Sequence, residues 1–239
     1  VKLLFGDTCF YWTALVFSAG VYTTDLQGMM FSVMNGGNVR FRSDNPSNFT
    51  GLTVCLRVLT EQQHYSVQLN FKNQTNFVRL DVYDVNYVLY VSDSSVRFEK
   101  SLMVLANQER WPWKNRCFTW ESSTGMAQLW SDGKMSVRKG IARGQLCHAN
   151  TSLNLIVQDS HNGPCCLDEL PFYDFRGQLS DVHVWDRVLN SNDLNWFLSY
   201  NYNFPSGNIL DWKRIEYSTS GYTVLEPIFG GPYSVKIIV

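Results

Sequence analysis

Six cysteines, four histidines and twenty-one carboxylates are the side chains with which this chain could cross-link, hold a metal or catalyse. The cysteines are Cys9, Cys55, Cys117, Cys147, Cys165 and Cys166. No C-x-x-C pair occurs among them, and His64, His148, His161 and His183 do not fall at zinc-ligand spacings from them. Disulfides are therefore the expected use of the thiols. Glycosidases built on β-sandwiches pair two carboxylates roughly 5 to 9.5 Å apart. Asp81 and Asp84 stand three apart in an apolar run and would face opposite sides of a strand. No Gly-x-Ser-x-Gly elbow, His-Glu-x-x-His helix, phosphate-cradling loop or dinucleotide fingerprint is present. No enzyme is expected. Asn48, Asn73 and Asn150 each open an Asn-x-Ser/Thr sequon, the acceptor of N-glycosylation.

The elements that would position these residues read as sheet. Tyr65 to Phe71 alternates apolar and polar without a fault, the period of a strand with one wet face. Further runs rich in Val, Leu and aromatics cover 53–60, 77–83, 87–91, 126–130, 153–158, 179–185 and 209–217, with turn residues between them at intervals near ten. Ser131-Asp132-Gly133-Lys134 suits a type I′ hairpin, since both central residues of that turn take φ > 0. One stretch reads as a helix: Ser191 is placed to cap it, Asp193 suits the first turn, and Leu194, Phe197 and Leu198 recur at i, i+3 and i+4.

Apolar residues make up 45% of the 239, aromatics 15% and charged residues 17%, enough to bury a sizeable core. A net charge of -1 with no run of five like charges leaves no basic footprint for a phosphate backbone, so no nucleic-acid partner is expected. Residues 1–20 read as a signal peptide: Lys2 is its charged head, Tyr11 to Phe17 its apolar stretch, and Ser18-Ala19-Gly20 its small-residue cleavage site. Secretion into the extracellular space follows. Removal of Cys9 with that segment would leave five cysteines, implying a free or intermolecular thiol. No later segment reaches the ~18 apolar residues of a membrane span.

Five landmarks occur in a recognisable order. They are Thr53-Val54-Cys55-Leu56; Asn115-Arg116-Cys117-Phe118-Thr119-Trp120-Glu121-Ser122; Leu129-Trp130-Ser131-Asp132-Gly133-Lys134; Gly177-Gln178-Leu179-Ser180-Asp181-Val182-His183-Val184-Trp185-Asp186; and Gly207-Asn208-Ile209-Leu210-Asp211-Trp212. Together they resemble the pentraxin family, whose signature places a histidine where Asn115 stands. The resemblance implies an all-β fold: a two-sheet antiparallel jelly-roll sandwich, concanavalin/laminin G-like, with one helix. With the signal peptide at 1–20, the chain then reads as a pentraxin domain 21–227 followed by a C-terminal apolar extension 228–239. The resemblance also implies a disulfide between Cys55 and Cys117, and a cyclic homo-oligomer, a pentamer. Cys147 is then available to bridge Cys165 or Cys166.

The same resemblance implies calcium as cofactor, held by oxygens of two loops and in turn holding phosphate, phosphocholine or sugar groups. Six to eight oxygens are needed, with carboxylates supplying most of the attraction. Here the family's Asp-Asn pair falls on Asn76 and Phe77, and its Glu-Gln-Asp run on Val157, Gln158 and Asp159, with Asp168 and Glu169 for the later carboxylate. The candidate metal ligands are thus Asn76, Gln158, Asp159, Asp168 and Glu169, two acids short, and a weak calcium site is expected. The phosphocholine pocket falls on Val82, Tyr90 and Ser95, where no acid faces the quaternary amine. The expected function is a secreted, lectin-like recognition protein of innate immunity, egg or matrix, taking a glycan or phosphate-bearing ligand through a weakened calcium site. The alternative is a structural or extracellular-matrix ring that has lost calcium-dependent binding.

Overall fold

The computed structural model describes residues 22–34, 36–43, 47–71, 77–105, 113–131, 133–145, 147–149, 153–158 and 175–228. Its strands are antiparallel throughout and form two large sheets plus a small pair, Ser47–Phe49 with Cys147–Ala149. The eight-stranded sheet runs Tyr22–Thr24, Ile215–Ser220, Asn38–Ser43, Leu153–Gln158, Tyr65–Phe71, Phe77–Val82, Asn86–Val91, Ser94–Glu99. The nine-stranded sheet runs Val104–Leu105, Lys134–Met135, Met126–Ser131, Lys114–Glu121, Gly51–Leu59, Gly177–Trp185, Met29–Val33, Thr223–Pro227, with Lys139–Gly140 also paired to Met126–Ser131.

Alternation explains which side chains fill the sandwich. Leu52, Val54, Leu56 and Val58 point inward from one sheet and meet a core that includes Val67, Leu69, Val78, Leu80 and Val82 of the other. A single-faced strand would leave every second residue wet, yet Gly51–Leu59 is buried almost end to end. The reason is the helix Ser191–Leu198, which lies with Leu189 and Phe204 over Cys55 and Cys117 and so covers the outer side of that strand.

The hairpin expected at 131–134 is present, with Ser131 opposite Lys134 and Gly133 at φ 68, a conformation that costs glycine little. Two local expectations need correction. The helix cap is Asn190, whose side chain accepts from the Asp193 N–H, because the backbone at Asn190 is still extended and Ser191 is already helical. The run 209–217 is not one strand: the chain bends through a short 3₁₀ turn, Trp212–Arg214, held by Asp211 at its start, before pairing again from Ile215.

Candidate functional site

The outer face of the eight-stranded sheet is built from rows of cross-strand partners. One row is Gln68, Arg79, Tyr90 and Ser95, and the next is Ser66, Asp81, Val88 and Arg97. Their neighbours Val67, Leu80 and Leu89 turn the other way into the core, so parity alone sends these residues outward. Arg79 and Asp81 are two apart and therefore share the face. The guanidinium of Arg79 meets Asp81 through Nε at 2.9 Å and lies 4.4 Å above the centre of the Tyr90 ring.

Asp81 is only 3% exposed although it belongs to an outer face. Ser66 donates to its Oδ1 at 2.7 Å and Tyr83 to its Oδ2 at 3.3 Å. Burial nevertheless outweighs these bonds and the Arg79 charge, and the carboxyl titrates above its ordinary value. The Tyr83 phenol is pushed up to about 12, first by burial and then by the Asp81 charge beside it. Arg79 is thus a quarter-exposed arginine with a buried acid at its Nε and the Tyr90 ring under its guanidinium.

Among the residues expected to line a choline pocket, the structure keeps Tyr90 and Ser95 together as direct cross-strand partners. It removes Val82 from them. Val82 is 3% exposed, pairs with Tyr87 and packs in the core, because a shift of one residue along a strand reverses the face. Asp81 takes the outward place instead. One face of the Tyr90 ring already carries Arg79.

Of the candidate metal ligands, Asn76, Asp159, Asp168 and Glu169 lie outside the described residues, as do Asn73 and Asn150. Gln158 ends its strand opposite Ser66, whereas Phe77, the first described residue after Asn76, pairs with Asn70. Four residues of strand, roughly 14 Å, separate those two rows. Val157, standing where the family resemblance puts an acid, is buried in the core. Asn48 lies on the strand Ser47–Phe49, opposite His148.

The opposite face holds a second cluster, which sequence spacing did not reveal. Cys55 and Cys117 are cross-strand partners joined by a disulfide, with Cα atoms 4.2 Å apart. Next to them Arg57, 2% exposed, pairs with Asp181 at 3.0 Å, donates to the Phe197 carbonyl at 2.9 Å and stacks 3.7 Å from the Tyr200 ring centre. Asp181 sits at φ 49 where the pairing of Gly177–Trp185 with Gly51–Leu59 shifts register, a bulge that re-aims its side chain. Asn115, at the signature's first position, is buried and donates to the Leu198 carbonyl at 3.3 Å, closing the end of the helix. His183 stacks on Trp185 and stands 3.6 Å from Asp211. Burial, then the Arg57 and Lys213 charges, lowers its pKa to about 3, so it is neutral.

A two-sheet antiparallel sandwich with a helix over the outer face of one sheet is the class these features define. A model of the Pentaxin family matches residues 35–227, and the chain belongs to the pentraxin family. Serum amyloid P-component of Cavia porcellus is 31% identical over 181 residues, 73% of this chain and 75% of that protein. Serum amyloid P-component of Homo sapiens is 28% identical over 216 residues, 86% and 90% of the two chains. The crystal structure of a native heptameric SAP-like pentraxin from Limulus polyphemus superposes with a TM-score of 0.63 at 18% identity, covering 85% of this chain and 97% of that one, which shows the shared fold.

Proposed function

We propose that this pentraxin is a secreted, non-enzymatic recognition protein. It assembles as a cyclic homo-oligomer and presents the outer face of the eight-stranded sheet to glycan- or phosphate-bearing ligands. Calcium has a reduced part in that binding. The observation that carries the reading is the composition of this face. Val157 is in the core and Phe77 cannot coordinate through a side chain, while the described strand ends bearing the two loops are separated by rows of sheet. Asn76, Gln158, Asp159, Asp168 and Glu169 would supply the remaining oxygens, and a calcium ion held by them would bridge to an anionic ligand.

Ring closure fits the family, since the Limulus relative is described as heptameric, and a ring of five is the assembly proposed here. No helix among the described residues is long and apolar enough to cross a membrane. Native mass spectrometry of protein collected from the culture medium of expressing cells tests the reading. A closed ring recovered from the medium is expected. Retention of the chain inside the cell, or a stable monomer at micromolar concentration, would overturn it.

A further inference from the structure

We propose that the ring closes by seating an apolar edge of one protomer, formed by Met34, Tyr222 and Val224, in the groove beside the helix of the next. The proposal rests on the reading that the chain is a cyclic homo-oligomer, and names the two surfaces that meet.

The edge belongs to Thr223–Pro227, the last strand of the nine-stranded sheet among the described residues, which pairs with Met29–Val33. Phe31, Val33 and Leu225 turn toward the core, so Val224 faces outward beside its cross-strand partner Ser32. Tyr222 adjoins Met34, whose amide donates to the Tyr222 carbonyl at 3.0 Å. Val224 is 42% exposed, Met34 43% and Tyr222 63%. Large apolar side chains gathered in this way on a surface mark a contact. Another strand is poorly placed to cover them. The Thr223 N–H already bonds the Gly221 carbonyl, and Pro227 has no N–H to offer. The contact is therefore made through side chains.

The receiving surface lies on the outer face of the same sheet. A groove of about 840 Å³ runs between the strand Met126–Ser131 and the start of the helix. Its apolar lining includes Met126, Trp130, Met135, Val188, Leu189 and Leu194, of which Met126, Met135 and Val188 are exposed. Unbranched methionine side chains can mould themselves around an aromatic ring such as Tyr222. Four strands lie between Thr223–Pro227 and Met126–Ser131, a span of roughly 24 Å, so one protomer cannot bring its own two surfaces together. A second copy can. The surfaces are unlike, so they meet head to tail rather than across a two-fold axis, and head-to-tail contacts generate rings when the rotation closes.

Charge agrees with this pairing. Glu226, two residues beyond Val224, accepts from the Ser32 hydroxyl, which leaves its negative charge unmatched by that bond. Of the groove's charged residues, Glu121 is engaged by the Thr124 hydroxyl, while Arg138 donates to the neutral amide of Gln128 at 3.3 Å and keeps its charge for Glu226.

Native mass spectrometry of full-length variants tests the contact, with near-ultraviolet circular dichroism to confirm that each is folded. Val224→Glu and Met135→Glu are each expected to abolish the ring and give folded monomers. Val85→Glu, which puts the same charge on an exposed apolar residue of the other sheet, should leave the ring intact. Mixed one to one, Val224→Glu and Met135→Glu should form a dimer and nothing larger, since the mixture keeps one sound edge and one sound groove per pair. In the wild-type ring, Met34, Met126 and Met135 should resist dilute hydrogen peroxide, although all three are exposed in the single protomer.

Rings from Val224→Glu and Met135→Glu, ready oxidation of those three methionines in the intact ring, or a mixture that stays monomeric would overturn the contact while leaving the cyclic assembly standing. A monomeric wild type would instead remove the assembly on which the proposal rests.

Discussion

Twice among the described residues an arginine meets an aspartate and a tyrosine ring, once under the helix and once on the eight-stranded sheet. Arg57 with Asp181 and Tyr200 is sealed, the two charged side chains being 2% and 3% exposed. Arg79 with Asp81 and Tyr90 leaves its arginine a quarter exposed. The partners and distances are nearly the same, so chemistry does not separate the clusters. Coverage does. Where Leu194, Phe197 and Leu198 of the helix close over the sheet, the arginine is spent on Asp181 and a backbone carbonyl and fastens the helix beside the disulfide. Among the described residues no helix lies on the other sheet, and there the same trio leaves its arginine partly exposed.

The largest effect that would sharpen this contrast is at the buried pair. Asp181→Ala leaves the Arg57 charge without its acid in a sealed site and is expected to cost about 3–5 kcal/mol in chemical denaturation. Replacing both residues by apolar ones, Arg57→Met with Asp181→Leu, should cost clearly less, because no uncompensated charge then remains. Equal costs for the single and double variants would break the account of the pair.

His183 supplies a second, intermediate effect on the same side. In the folded protein it stays neutral down to about pH 3, whereas in the unfolded chain it gains its proton near 6.5. The unfolded state therefore binds more protons between these values. The contribution is complete above pH ~6.5 and is lost as pH falls toward 3, at about 1.4 kcal/mol per unit, so about 2 kcal/mol is gone by pH 5. Denaturation of wild type and His183→Gln across pH 7 to 5 checks this. The variant should show the shallower slope, and parallel slopes would contradict a buried neutral imidazole.

The smallest effect belongs to the open cluster. Arg79→Leu removes a partly solvated ion pair and a cation–π contact, and leaves Asp81 with the hydroxyls of Ser66 and Tyr83. A loss of about 1 kcal/mol or less is expected. A loss as large as that of Asp181→Ala would mean that both clusters are structural, and the contrast would fail.

How much of this was readable beforehand follows from the range of each interaction. The alternation of Tyr65–Phe71, the hairpin at Gly133 and the helix face of Leu194, Phe197 and Leu198 are local patterns and appear as expected. The polar edge strand Ser94–Glu99 carries little apolar signal, because only one of its residues is buried. The open cluster had a visible mark, Arg79 and Asp81 two apart in an alternating run, but an assignment one residue away put Val82 on the wrong side of the sheet. The buried cluster had none. Arg57 and Asp181 lie on strands far apart in sequence, and only their pairing in the nine-stranded sheet, with a bulge at Asp181, brings them together.

Calorimetric titration of the intact ring with calcium tests the central claim most directly, because a reduced part for calcium is the core of the proposed function. With Phe77 and Val157 at positions where the family resemblance places oxygen ligands, binding is expected to be weak, in the ~10⁻⁴ to 10⁻³ M range of low-affinity extracellular modules. Two sites per protomer of micromolar affinity would contradict the account and make this an ordinary calcium-dependent pentraxin face.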